Sequence, residues 1–242
     1  MTSISITDLS VDLPVYGVDS RSLKKEVARA VGGRLGSDRE GHAVVRALEG
    51  INLHLKTGDR LGLIGGNGAG KTTFLRVLAG AYQPTQGRVE IKGRVHALLD
   101  VGIGMDASAT GIENIYMRGL LSGLTRPEVR DRLDDIAQFS GLGNFLKMPL
   151  KTYSAGMTAR LAFAVATSIE TDILLMDEWL AVGDAEFRAA AHERLSSLVG
   201  RSSILVLASH DATIIESFCN RTIRLDHGRI VEAQDLRDPP EA

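Results

Sequence analysis

The segment Gly65-Gly66-Asn67-Gly68-Ala69-Gly70-Lys71-Thr72 constrains this chain more than any other part of it. A glycine, four intervening residues and then Gly-Lys-Thr is the pattern of a loop that wraps phosphates, and it needs a strand before it and a helix after it. Both are predicted here, a short apolar strand over Arg60 to Ile64 and a helix from about Lys71 to Ala79. Glycines permit backbone angles that aim several N–H groups at phosphate oxygens, and the helix N-terminus adds a favourable potential. On this reading Gly65, Asn67, Gly68, Ala69, Gly70, Lys71, Thr72 and Thr73 bind a nucleotide. Lys71 reaches the β- and γ-phosphates, and the Thr72 hydroxyl ligates Mg²⁺.

The surrounding pattern agrees with such a loop. Ile173 to Met176 and Ser203 to Ala208 are short and wholly apolar, with a helix predicted between them from about Ala185 to Val199. Buried strands alternating with helices indicate an α/β fold with a mostly parallel sheet covered on both faces. Ser3 to Leu9 alternates apolar and polar residues and reads as an edge strand, and Val44 to Leu55 as a second strand region. From about 104 to 158 the pattern is mostly helical with glycine and proline breaks, as expected of an inserted helical subdomain, and Ala159 to Ile169 continues as helix. Residues 17–42 form a Gly-, Ser- and Arg-rich insertion in which Leu23, Val27, Ala30 and Val31 recur at helical spacing. That helix either approaches a membrane partner or seals the insertion to the core. The tail after Ala233 is acidic and is expected to be loose.

Three further sites carry chemistry. Asp177 and Glu178 end the apolar run Ile173 to Met176. A strand followed by two acids is by itself an ordinary solvated turn. Downstream of a phosphate loop, Asp177 fits a holder of the Mg²⁺ water shell and Glu178 a group that polarises an attacking water. His210 follows the next strand and reads either as a structural residue or as a γ-phosphate contact. The carboxyl ends of parallel strands are where α/β ligands bind, and three candidates falling there favour the contact. Ser154 with Gly156 opens a helix, which makes Ser154 either a cap or part of a second anion site.

Tyr153-Ser154-Ala155-Gly156-Met157, set between the phosphate loop and the Asp-Glu pair, resembles the signature loop of ATP-binding-cassette proteins. The resemblance runs from Ile4 to Val231 and implies one nucleotide-binding domain over 1–242, with an antiparallel N-terminal β subdomain beside the α/β core. It implies an ATPase that works as a homodimer with Mg²⁺, in which Lys71 of one copy and Ser154 and Gly156 of the other share each ATP. Asp184 would lie in the loop that crosses the dimer. Tyr16 is the candidate for stacking on adenine, with a packed or interface tyrosine as the alternative. Most members carry a metal-touching Gln before the helical subdomain; none is found here, and Asp100 is nearest. Tyr153 and Met157 stand where Leu and Gln are usual.

Those departures, with Leu98-Leu99-Asp100-Val101-Gly102, Thr110-Gly111, Glu113-Asn114 and Trp179 to Asp184, resemble the polysaccharide-exporter branch. That likeness implies a permease dimer as the polytopic partner and a lipid-linked glycan as indirect cargo. It places the protein peripherally on the cytoplasmic face of the inner (plasma) membrane, in the short form without a C-terminal carbohydrate-binding domain. Composition is compatible. With 28 Lys and Arg against 30 Asp and Glu the net charge is −2, which disfavours nucleic acid as a partner. A single Cys219 suggests a reducing compartment, and no apolar run is long enough to cross a bilayer. The rivals are a cassette subunit for another cargo, a soluble cassette protein acting on ribosomes or DNA, and a small-molecule kinase.

Overall fold

The computed structural model describes residues 1–14, 35–37, 43–99, 102, 104–178 and 185–236. In chain order the strands are β1 Ser3–Pro14, β2 Leu35–Ser37, β3 Ala43–Lys56, β4 Arg60–Ile64, β5 Gln86–Lys92, β6 Val95–Leu98, β7 Ile173–Asp177, β8 Ile204–Ala208, β9 Arg221–Asp226 and β10 Arg229–Asp235. The α-helices are α1 Lys71–Leu78, α2 Gly111–Leu121, α3 Arg126–Ser140, α4 Ala155–Thr167, α5 Ala185–Arg201 and α6 Ala212–Phe218. The backbone forms two compact units. One comprises Met1–Ala97, Asp172–Glu178 and Ser203–Ala242, the other Leu98–Thr171 and Trp179–Ser202.

The first unit holds two sheets. One is antiparallel, in the order β2-β3-β1-β5. Here β1 departs from the expected edge strand, because it pairs on both sides: Ser3 lies opposite Lys56 of β3 and opposite Lys92 of β5. The second neighbour, Gln86 to Lys92, alternates half-buried Val89 and Ile91 with exposed Arg88, Glu90 and Lys92, but alternation does not reveal which distant strand it pairs with.

The other sheet runs β10-β9-β4-β8-β7-β6, with β9, β4, β8 and β7 parallel. Leu61, Leu63, Leu174, Leu175, Leu205 and Val206 on its central strands are fully buried. Each such side chain contributes about 1.5–3 kcal/mol relative to exposure. Ala208 lies opposite both Leu63 of β4 and Asp177 of β7, so the three strands end level. That common edge carries the site. Helix α1 packs on β7 and β8, burying Phe74 and Leu75.

The hairpin β9–β10 turns through His227 and Gly228, at φ 47° and 82°. Two consecutive left-handed residues fit a type I′ turn, which matches strand twist. The Gly228 N–H donates to Ala69 O at 2.8 Å, so the turn braces the phosphate loop. The hairpin continues to Asp235 opposite Arg221, so the segment expected to be loose beyond Ala233 is paired that far.

The second unit is helical and larger than the expected 104–158. It takes in α4 and α5 because Phe139 of α3, Phe163 of α4 and Phe187 of α5 pack with ring centroids 5.3–6.0 Å apart. Around them Ile115, Val129, Ile136, Leu146, Leu161 and Val165 form the core. Capping boxes start α2 and α3, Thr110 with Glu113 and Thr125 with Glu128, satisfying helix-end N–H groups that water would otherwise claim. Among the described residues no helix is long and apolar enough to cross a membrane.

Candidate functional site

The level ends of β4, β7 and β8 and the start of α1 line a cavity of about 620 Å³ in the first unit. Asn67, Gly68, Ala69, Gly70, Lys71, Thr72, Thr73, Asp177, Glu178 and His210 all face it, with Gly66. Gly65 opens the loop at φ 149°, where a Cβ would overlap Leu225 O. Gly70 stands at the N-cap of α1 with φ 112°, and no side chain caps this helix. Its first N–H groups are therefore the kind of donors that anions satisfy.

Lys71 is buried, and its Nζ donates to Gly65 O at 2.7 Å and Gly66 O at 3.2 Å. The loop carbonyls thus hold the ammonium at the cavity, 3.5 Å from His210 Nε2. The Thr72 hydroxyl donates to Asp177 Oδ2 at 2.6 Å. A hydroxyl and one carboxylate side by side are hard oxygen donors, the set that Mg²⁺ takes when water and phosphate complete its shell. These residues fit that ion.

Glu178 adopts φ 72°, a left-handed conformation uncommon for a residue with a Cβ. Its N–H donates to Ala208 O at 2.8 Å, and its Oε2 accepts from the Ser209 hydroxyl at 3.1 Å. Oε1 lies 3.7 Å from His210 Nε2. The sequence pattern had singled out these side chains except Ser209, and its binding set had omitted Gly66. Leu13, Val45 and Ala47, which give the cavity an apolar wall, were also missed, because their strands lie far from the loop in sequence.

The signature-like segment belongs to the second unit. Ser154 is the N-cap of α4 and accepts from Met157 N–H at 3.2 Å, while Ser154, Ala155 and Gly156 are exposed. Tyr153 is tied down: its hydroxyl donates to Phe145 O at 2.6 Å, its ring meets Phe145 edge-on, and burial pushes its phenol pKa up. Gly111 makes this possible, since a Cβ there would overlap the Tyr153 hydroxyl and crowd Leu146. Met157 packs partly against the helical core. Asn114 is fully buried, accepting from Asp106 N–H and donating to Asp106 O, Ala109 O and Thr110 O, which fixes the loop before α2. Tyr16, Asp100, Asp184, the 17–42 helix and the rest of Trp179 to Asp184 lie outside the described residues.

Comparison with known proteins adds four findings. The ABC transporter family matches residues 48–181. The chain is 42% identical over 233 residues to the O-antigen export system ATP-binding protein RfbE of Yersinia enterocolitica, covering 96% of this chain and 98% of that protein. It is 39% identical over 186 residues to the teichoic acids export ATP-binding protein TagH of Levilactobacillus brevis, covering 77% of this chain and 51% of that longer protein. Among solved structures, a dimeric ATP-binding cassette in a post-hydrolysis state bound to ADP and Pi superposes with a TM-score of 0.70 at 18% identity, covering 97% of this chain and 99% of that one.

Proposed function

The chain belongs to the ABC transporter family as an ATPase of the cassette type, and we propose that it powers export of a lipid-linked polysaccharide through a polytopic permease dimer. The observation that carries the ATPase reading is the convergence of Lys71, Thr72, Asp177, Glu178 and His210 on one cavity at level strand ends. The end-to-end likeness to RfbE supports the cargo class. The protein works as a homodimer at the cytoplasmic face of the membrane.

ATP seats its phosphates on the loop from Gly65 to Thr73, and Lys71 turns from the Gly65 and Gly66 carbonyls to the β- and γ-phosphate oxygens. Leu13 and Val45 offer apolar surface for the base, together with Tyr16. Thr72 and Asp177 would hold Mg²⁺, with Asp100 as a further candidate. When bound, that ion neutralises charge on the phosphate oxygens. Glu178 polarises a water so that its oxygen bonds to the γ-phosphorus as the bond to the bridging oxygen breaks. His210 hydrogen-bonds the γ-phosphate. Ser154 and Gly156 of the opposite copy close the site, Tyr153, Ala155 and Met157 shape that loop, and Asp184 links the two sites. ATP joins two copies and hydrolysis releases them, which moves the permease.

Depletion in the host, with lipid-linked glycan measured in the cytoplasmic leaflet, tests the reading. Long unexported chains should accumulate and be cleared by wild type but not by Lys71→Ala. Unchanged glycan pools would reject the cargo assignment.

A further inference from the structure

We propose that Ser209 is a positioning residue for hydrolysis, holding the Glu178 carboxylate in place for the attacking water; this rests on Glu178 being the group that polarises that water. Ser209 directly follows β8 and is 2% exposed. Its backbone N–H points to Leu63 O of β4 at 3.4 Å, so its Cα is tied to the central strands. Its Oγ accepts the Asp211 N–H at 3.1 Å and lies 3.1 Å from Glu178 Oε2.

A serine hydroxyl has one proton and two lone pairs. The Asp211 N–H occupies a lone pair, and the remaining neighbour, a carboxylate oxygen, takes the proton. The hydroxyl is therefore oriented, and it donates to Glu178. A hydrogen bond to a charged acceptor is roughly twice as strong as a neutral one.

Glu178 needs such a hold. Its side chain is 48% exposed, and its backbone is in the left-handed region. Packing alone does not fix an exposed carboxylate on such a residue. With Oε2 engaged by Ser209, Oε1 is the oxygen turned toward His210 and available to water. Ser209 touches neither nucleotide nor water in this scheme. It acts through Glu178 alone.

The test is single-turnover ATP hydrolysis and ATP affinity for wild type, Ser209→Ala, Ser209→Thr and Glu178→Gln. Ser209→Ala removes the donor at nearly constant volume, so the hydrolysis rate should fall roughly ten- to hundred-fold, the scale of losing the partner that orients a reacting group. ATP affinity should match wild type, the unfolding midpoint should fall only modestly because the Asp211 N–H loses its acceptor, and Ser209→Thr should recover most of the rate. A Ser209→Ala rate equal to wild type, with Glu178→Gln inactive, would overturn the Ser209 assignment and leave the role of Glu178 standing. A loss of ATP affinity in step with rate, not recovered by Thr, would reduce Ser209 to a packing role and overturn it too. Full hydrolysis by Glu178→Gln would remove the premise and the inference together.

Discussion

Thr72 and Asp177 are 105 residues apart in sequence and meet through a 2.6 Å hydrogen bond from hydroxyl to carboxylate. The bond joins the first turn of α1 to the end of β7 and sets two hard oxygens side by side.

Asp177→Asn keeps an oxygen that can accept from Thr72 but loses the negative charge. The Mg²⁺ concentration for half-maximal ATP hydrolysis should rise at least about ten-fold, the cost of removing a carboxylate ligand. The unfolding midpoint should move little. A metal titration of ATPase activity checks this, and an unchanged titration would remove Asp177 from the metal shell.

Gly111 and Tyr153 form a space-filling pair in the helical unit. Tyr153→Phe deletes the bond to Phe145 O and should cost about 1 kcal/mol. Gly111→Ala overlaps the same hydroxyl and should cost about 1–3 kcal/mol. In the double variant the overlapping atom is gone, so its cost should be less than the two single costs added together, although Leu146 still crowds the new methyl. Denaturant midpoints of the four proteins measure this, and strict additivity would contradict it.

Asn114→Ala takes the buried acceptor away from Asp106 N–H, while Asp106 O, Ala109 O and Thr110 O lose the amide but each keep a backbone N–H donor. A loss of about 1–3 kcal/mol is expected, the cost of one buried donor left without its partner. Thermal unfolding reads it directly, and a change under about 0.5 kcal/mol, the size of an ordinary surface substitution, would show that Asn114 is dispensable.

Arg194 donates to both carboxylate oxygens of Asp135, and that hydrogen bonding holds the Asp135 carboxyl below its ordinary 3.8. A lowered folded value means stability that is complete above 3.8 and is lost as pH falls through the folded value. The unfolding-midpoint difference between wild type and Asp135→Asn should therefore be present at neutral pH, shrink below pH 3.8, and vanish at still lower pH. Asp135 is more than half exposed, so the difference should be small and weaken in salt. A difference constant through this range would contradict the assignment.

How much of this was legible in sequence follows the range of the interactions. β4, α1 and β7 were read almost to the residue, because glycine spacing and unbroken apolar runs are local signals. The central position of β1 was not, since its second neighbour β5 lies some eighty residues away and alternation alone does not name a partner. The β9–β10 hairpin did leave a local mark: Ile223, Leu225 and Ile230 flank Asp226-His227-Gly228, a turn sequence suited to two positive φ angles. Ser209 was hidden for a different reason. Its neighbour His210 drew attention as a titratable group, while the partner of the hydroxyl lies 31 residues away, just past the end of another strand.

The central claim is that two copies share ATP and part when Glu178 drives hydrolysis. Its most direct test is the solution mass of Glu178→Gln with and without Mg-ATP, by analytical ultracentrifugation. The account predicts a monomer without nucleotide and a stable species of twice that mass with saturating Mg-ATP, one that Lys71→Ala in the same chain abolishes. A monomer under saturating Mg-ATP, with nucleotide bound, would contradict it.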